Sequence, residues 1–233
     1  MVSYIFDVDG TLTESRKKID PEFANWLEMF MTHNACYIVT GSDREKTIEQ
    51  VGKHIYNLCV RVYNCSGNDV YEQEKNIRRN EFYKSKELEE YLEYLLERSE
   101  FPHKTGKHLE YRPGLLNFSI LGRNATPEQR AKYVEWDKKT NEREYYSEAL
   151  KHMFPQYQHE VAGDTGIDIT GPKGNKSQII SDFDLKNDHI YFFGDKMEPG
   201  GNDYLLSYAL ATKGHTVRQV KKWEDTWEFL KKL

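Results

Sequence analysis

The sequence predicts an α/β chain: a parallel-sheet core carrying an inserted α+β segment. Three observations lead there. Short apolar runs at 3–8 (SYIFDV), 36–39, 60–63 and 190–193 (IYFF) alternate with helical patterning, which is how a parallel sheet covered by helices is built. Three of these runs end in polar, Gly-containing strings, DVDGTLT, TGSD and GD, and ligands of parallel sheets sit at strand carboxyl ends. From about residue 81 the texture turns to charged helical stretches mixed with antiparallel-looking strands. The expected division is a Rossmann-like core over 1–80 and 174–233, with an α+β cap over 81–173.

Each element follows from its local pattern. Residues 3–8 read as a buried strand that delivers polar residues to its end, and a helix is expected over 21–32. The strand 36–39 ends at Thr40-Gly41-Ser42-Asp43, where Ser42 or Asp43 can cap a helix that continues over 46–55. A third strand is expected at 60–63. The cap should hold a helix at 84–100, strands at 108–111 and 115–120, a helix at 127–153 and a strand at 159–169. In the resumed core, 176–182 reads as a helix and 190–193 as a central strand buried on both faces. A short apolar segment at 206–211, another at 215–217 and a last helix at 223–233 complete the chain.

Composition narrows the function classes. With 233 residues, 38% of them hydrophobic, the chain is long enough for one large core or a core with a smaller companion. Acidic residues outnumber basic ones, 38 to 33, for a net charge of −5, and the basic residues are scattered. That balance argues against a nucleic-acid partner. No apolar run approaches the length of a bilayer span, and no basic stretch precedes an apolar one near the N-terminus, so no membrane association is expected. Cys36, Cys59 and Cys65 are odd in number and lack CxxC spacing, which argues against a disulfide framework or structural zinc and for a reducing, cytoplasmic setting.

Asp7 and Asp9 lie two apart at the end of an apolar strand, and Gly10 permits an immediate turn. Carboxylates crowded at a buried strand end repel unless a cation binds or one carries a proton. Magnesium suits such a place, because it takes one or two carboxylates and keeps waters and phosphate oxygens; Asp7 and Asp195 would suffice. Alone, this pair is as readily a solvated loop. The full string DVDGTLT resembles the first motif of the haloacid dehalogenase superfamily, which implies that Asp7 attacks phosphorus and Asp9 serves as general acid/base. Three further motifs follow in that superfamily's order: Thr40 after the second strand, Lys176 ahead of a helix, and GDKMEPGGND after an apolar strand. Thr40 offers a hydroxyl and Lys176 a charge to the transferring phosphoryl group. The implied metal set is Asp7, Asp9, Asp195 and Asp203, with Asp203 acting through waters or by orienting Lys176. Singly, Thr40 reads more readily as a helix cap, Lys176 as a solvated helix residue and Asp203 as a surface acid; their joint order does not.

The chain also resembles the eukaryotic-type phosphomannomutases in TGSDREKTIEQVG, LEYRPGLLNFSILGR and FFGDKMEPGGNDY. The resemblance implies a sugar-phosphate substrate, Mg2+ and a homodimer formed through the cap. It also implies that Arg112 and Arg123 hold the phosphate distant from the nucleophile, for which a planar guanidinium fork is suited. It points to Arg16 and Asp168 as further substrate contacts. Asn117 and Ser119 alternate along a cap strand and read as sugar-facing candidates or, equally, as a polar outer face. The sequence departs from the family at Gly166, where a substrate-binding serine is expected, at Ile120, at Gly174-Asn175, and at Ser207 and Ala209, where a further cation contact is expected. Only Lys104 and Lys107 precede the LEYR strand where a cap arginine is expected. The activity implied is mannose 1-phosphate/mannose 6-phosphate interconversion. Sugar-phosphate hydrolysis by the same residues is the alternative, and a noncatalytic sugar-phosphate or protein-binding module is a third reading that retention of all four motifs opposes.

Overall fold

The computed structural model describes residues 2–83, 85–172 and 174–233. The chain runs through β1 (Val2–Phe6), α1 (Pro21–Met31), β2 (Ala35–Val39), α2 (Arg44–Val51), α3 (Lys53–Leu58), β3 (Arg61–Asn64), β4 (Asp69–Glu72) and β5 (Lys75–Arg79). It continues with α4 (Lys86–Arg98), β6 (Leu109–Arg112), β7 (Leu115–Phe118), α5 (Pro127–Thr140), α6 (Glu142–Met153), β8 (Gln158–Ala162) and β9 (Gly166–Thr170). Last come 3-10 turns over Lys176–Asp182, then β10 (His189–Gly194), α7 (Tyr204–Ala211), β11 (Thr216–Gln219) and α8 (Trp223–Leu230). Two units result, one from Met1–Asn80 with Asn175–Leu233 and one from Glu81–Gly174. Among the described residues, no helix is long and apolar enough to cross a membrane.

The first unit is an α/β fold on a sheet of order β11-β10-β1-β2-β3-β4-β5, parallel from β11 to β3 and antiparallel at β4 and β5. Ile5 and Phe6 on β1 are both fully buried although they face opposite ways, as expected of a strand covered on both faces. Phe6 packs with Phe23, Leu27 and Ile55 on one side, and Ile5 with Val39, Phe192 and Leu206 on the other. Phe6 stands level with Phe193 of β10 and Ile38 of β2. That register brings the carboxyl ends of three central strands side by side, where Asp7, Thr40 and Asp195 follow.

The expected helix over 46–55 divides into α2 and α3, because Gly52 turns the chain at φ 83. The hairpin β4–β5 was not anticipated; its strands are short and polar. Lys176–Asp182 forms 3-10 turns where an α-helix was expected. Asn175 Oδ1 accepts from both the Ser177 N–H (2.9 Å) and the Ser177 hydroxyl (2.6 Å), local bonding that competes with a regular helical start.

The second unit is a four-stranded antiparallel sheet of order β6-β7-β9-β8. Leu116, Phe118, Ile167 and Ile169 pack with Leu88, Leu92 and Leu95 of α4, Tyr133 and Leu150, so strand alternation turns Asn117 and Asp168 to the other face. The expected helix over 127–153 breaks at Asn141, which adopts a left-handed conformation at φ 52 while Asp137 Oδ1 accepts from the Arg143 N–H at 2.9 Å. The expected strand over 159–169 is a hairpin, β8 and β9. Of the helix expected over 84–100, Lys84 lies outside the described residues; α4 begins after Ser85, whose hydroxyl accepts from the Leu88 N–H at 3.3 Å.

Candidate active site

At the end of β1, the Asp7 N–H still donates to Phe193 O at 2.9 Å, so the sheet fixes its backbone. The chain then turns: Leu12 and Thr13 N–H groups return to Val8 O and the Gly10 N–H to Thr13 O. Gly10 sits at φ +79, and a Cβ there would lie 2.7 Å from Asp195 Oδ2. Only glycine satisfies both the turn and that approach.

Lys176 donates to Asp7 Oδ1 at 2.6 Å and to Asp203 Oδ1 at 2.7 Å, and all three side chains are almost wholly buried. Asp203 is held in turn by the Lys196 N–H at 3.2 Å. A Cβ on Gly194 would meet Asp203 Oδ2 at 2.5 Å, so the carboxylate lies against the last residue of β10. Carboxylate oxygens of Asp7, Asp195 and Asp203 all lie within 4.8 Å of one another. Burial raises the Asp7 carboxyl well above the usual range despite Lys176, with Asp203 and Asp195 adding to the rise. Burial likewise pushes Asp195 up to about 6 against the pull of Lys196. For Lys176, burial is outweighed by Asp203 and Asp7, which keep its ammonium charged. Asp7 and Asp203 are buried and Asp195 half-buried, so three carboxyl groups gather around the one ammonium of Lys176. Hard oxygen donors in that surplus fit a divalent cation.

Asp9 does not join this trio. Its Oδ1 accepts from the Arg16 N–H at 2.7 Å and from Gln50 Nε2 at 2.9 Å. The structure thus connects Asp9 to the main chain of Arg16, at φ 62, rather than to its guanidinium. Thr40 is buried after β2; its hydroxyl accepts from the Ser42 N–H at 3.1 Å. Its carbonyl accepts from the Ser66 N–H, and that of Ser42 from the Cys65 N–H, each at 2.8 Å. Cys65, Ser66 and Gly67 all have positive φ, 48, 58 and 93, a left-handed run that points successive N–H groups at the Thr40 loop.

In the second unit, Glu110 pairs with both predicted arginines: Arg112 Nε donates to it at 2.9 Å and Arg123 Nε contacts its other oxygen. Arg123 Nη2 donates to Asn117 Oδ1 at 2.9 Å, and Asn117 Nδ2 to Asp168 Oδ1 at 2.6 Å. Asn117 stands level with Glu110 on one side and Asp168 on the other, so Arg112, Arg123, Asn117 and Asp168 form one polar network across three strands. Burial raises the Asp168 carboxyl, opposed by Arg112, Asn117 and Arg123. Ser119 stands apart, its hydroxyl donating to Thr165 O at 2.8 Å and accepting from the Gly122 N–H at 3.2 Å. A Cβ on Gly166 would lie 2.6 Å from Asn117 Nδ2, so a side chain there would displace the Asn117–Asp168 pair. The hydroxyl of the neighbouring Thr165 accepts from Arg130 at 3.3 Å.

Two residues of these networks escaped the sequence reading. Glu110, two before Arg112 on a strand and hence on its face, carried a usable signal. Gln50, on a helix remote from Asp9 in sequence, carried none.

A parallel sheet whose central strand ends in Asp7, with Lys176, Asp195 and Asp203 gathered beside it, defines a haloacid dehalogenase-like enzyme, a phosphotransferase or phosphatase. A solved haloacid dehalogenase-like hydrolase from Bacteroides thetaiotaomicron superposes with a TM-score of 0.63 at 12% identity, covering 99% of this chain and 98% of that one, a likeness of fold. The family model described as eukaryotic phosphomannomutase matches residues 23–233, and the chain belongs to that family. It is 33% identical over 229 residues to a "Probable phosphomannomutase" of Caenorhabditis elegans, covering 91% of this chain and 89% of the relative. It is 31% identical over 239 residues to a phosphomannomutase of Saccharomyces cerevisiae, covering 98% and 92%.

Proposed function

We propose that this chain interconverts mannose 1-phosphate and mannose 6-phosphate by passing a phosphoryl group through Asp7. The observation that carries the reading is Lys176 held between Asp7 and Asp203. It fixes Asp7 Oδ1 and leaves the second carboxylate oxygen to attack phosphorus. As the Asp7 oxygen–phosphorus bond forms, the phosphorus–sugar oxygen bond breaks and Asp9 gives its proton to the departing sugar oxygen. In the second half, Asp9 takes a proton from a sugar hydroxyl whose oxygen attacks the aspartyl-phosphate, restoring Asp7. The Thr40 hydroxyl and the Lys176 ammonium stabilise charge on the transferring group.

Asp7 and Asp195 are the residues that would hold Mg2+, with Asp203 orienting Lys176. The cation supplies neutralisation of the phosphoryl oxygens as charge develops. Arg112 and Arg123, preset by Glu110, suit a second phosphate, and Asp168 suits sugar hydroxyls.

The test is incubation with Mg2+ and mannose 1-phosphate, with and without a hexose 1,6-bisphosphate, following mannose 6-phosphate and free phosphate together. Bisphosphate-dependent mannose 6-phosphate without phosphate release supports the mutase. Free phosphate as the main product makes the chain a sugar phosphatase using the same residues.

A further inference from the structure

Gln50 occupies the last turn of α2, 3% exposed, and its side chain is spent on one task. Nε2 donates to Asp9 Oδ1 at 2.9 Å and to Thr13 Oγ1 at 3.3 Å. Its main-chain carbonyl accepts from the Ile19 N–H at 2.8 Å, tying both ends of the loop after Asp9 to the same helical turn. Its Oε1 is buried without a hydrogen-bond partner among the described residues. Buried amide oxygens are rarely left so, and an exception calls for a compensating purpose. Turning the amide over would set Oε1 against the Asp9 carboxylate, so the orphaned oxygen is the consequence of aiming both N–H groups at Asp9 and Thr13.

Both donors to Asp9, Gln50 Nε2 and the Arg16 N–H, converge on Oδ1, and no described residue donates to Oδ2. A carboxyl group pinned at one oxygen cannot rotate about its Cβ–Cγ bond without breaking both hydrogen bonds. We propose that Gln50 is a positioning residue that holds Asp9 so that Oδ2 alone exchanges the proton with the sugar oxygen. This rests on the general acid/base role of Asp9 given above. As the phosphorus–oxygen bond breaks, the proton passes from Asp9 Oδ2 to the sugar oxygen, leaving a carboxylate on Asp9 and the phosphoryl group on Asp7. In reverse, Oδ2 takes the proton from the attacking hydroxyl.

A leaving group that needs no proton separates this role from a structural one. The full chain and its Gln50→Leu variant, with Gln50→Met as a second replacement of similar length, are compared on mannose 1-phosphate turnover. They are also compared on the pre-steady-state burst of 4-nitrophenol from 4-nitrophenyl phosphate. Expected for both variants is a fall in kcat of about 10- to 100-fold on mannose 1-phosphate, no more than the low end of general acid/base effects because Asp9 itself is kept, with KM little changed. The 4-nitrophenol burst should keep the unsubstituted chain's rate. Equal slowing of both reactions, or of neither, overturns the assignment. In an Asp9→Asn background, Gln50→Leu should add nothing on mannose 1-phosphate; a further full loss there also overturns it. If Asp9→Asn by itself leaves turnover intact, the role of Asp9 in the proposed function fails, whatever Gln50 does.

Discussion

Lowering the pH from 7 to 5 should destabilise the second unit through one residue, His159 on β8. The ring is 5% exposed and neither nitrogen has a hydrogen-bond partner among the described residues. It packs edge-on to Tyr157, and its β9 neighbour across the sheet is Ile169. Burial, aided by Lys151 on α6, pushes its pKa from 6.5 down to about 4. The folded form therefore stays neutral in a range where the unfolded chain binds a proton. With a depressed folded pKa, the contribution is complete above pH 6.5 and is lost as the pH falls toward 4. Integrating the linkage between pH 7 and pH 5 gives a loss of about 2 kcal/mol, or roughly 4–8 °C in Tm for a chain of this size. Other groups titrate over the same range, so the assay compares thermal and urea unfolding of the unsubstituted chain with that of His159→Leu at both pH values. The substitution removes a desolvated ring with no partner to lose, and it should flatten the pH dependence by that amount. Identical pH slopes in the two proteins would refute the reasoning.

The core site yields three further expectations and the second unit one. Lys176→Met removes the only ammonium from a buried carboxylate pair, so it should lower kcat by about 100- to 1,000-fold and cost about 3–5 kcal/mol of stability in denaturant unfolding. Gly10→Ala forces a Cβ onto Asp195 at φ +79; a loss of about 1–3 kcal/mol in stability, together with weaker Mg2+ binding by calorimetry, is expected. Asp195→Asn should abolish calorimetric Mg2+ binding while the fold, by circular dichroism, is kept. Arg123→Ala should raise KM for mannose 1-phosphate by about tenfold or more with a smaller change in kcat, as loss of a charge-assisted phosphate contact predicts.

The core was legible because its constraints are local. The run before Asp7 had to be a strand, the glycine after Asp9 had to be a turn, and IYFF ending in Gly194-Asp195 had to be central. Elements went astray where one residue's backbone decided the outcome: Gly52 and Asn141 divide stretches whose side-chain periodicity runs straight through them. The β4–β5 hairpin lacks the apolar alternation that would have announced it. Within the second unit, Arg112 and Arg123 came to notice through family resemblance alone, since exposed arginines are common. Their joint dependence on Glu110 required strand register, which sequence spacing did not supply. Gln50 needed a contact across 41 positions, beyond the reach of any local pattern.

β1 and β10 are neighbours in the sheet, yet Asp7 and Lys176 stand 169 positions apart in the chain. Closing so long a loop is slow, because its entropy must be surrendered before the contacts return anything. During synthesis, the strand that carries Asp7 waits, without its partner at one edge and without its ammonium, until Lys176 and β10 have left the ribosome. The charged centre therefore comes into being only after both segments of the first unit have been made. A nascent chain that stops short of Lys176 carries Asp7 without the ammonium that holds its carboxylate.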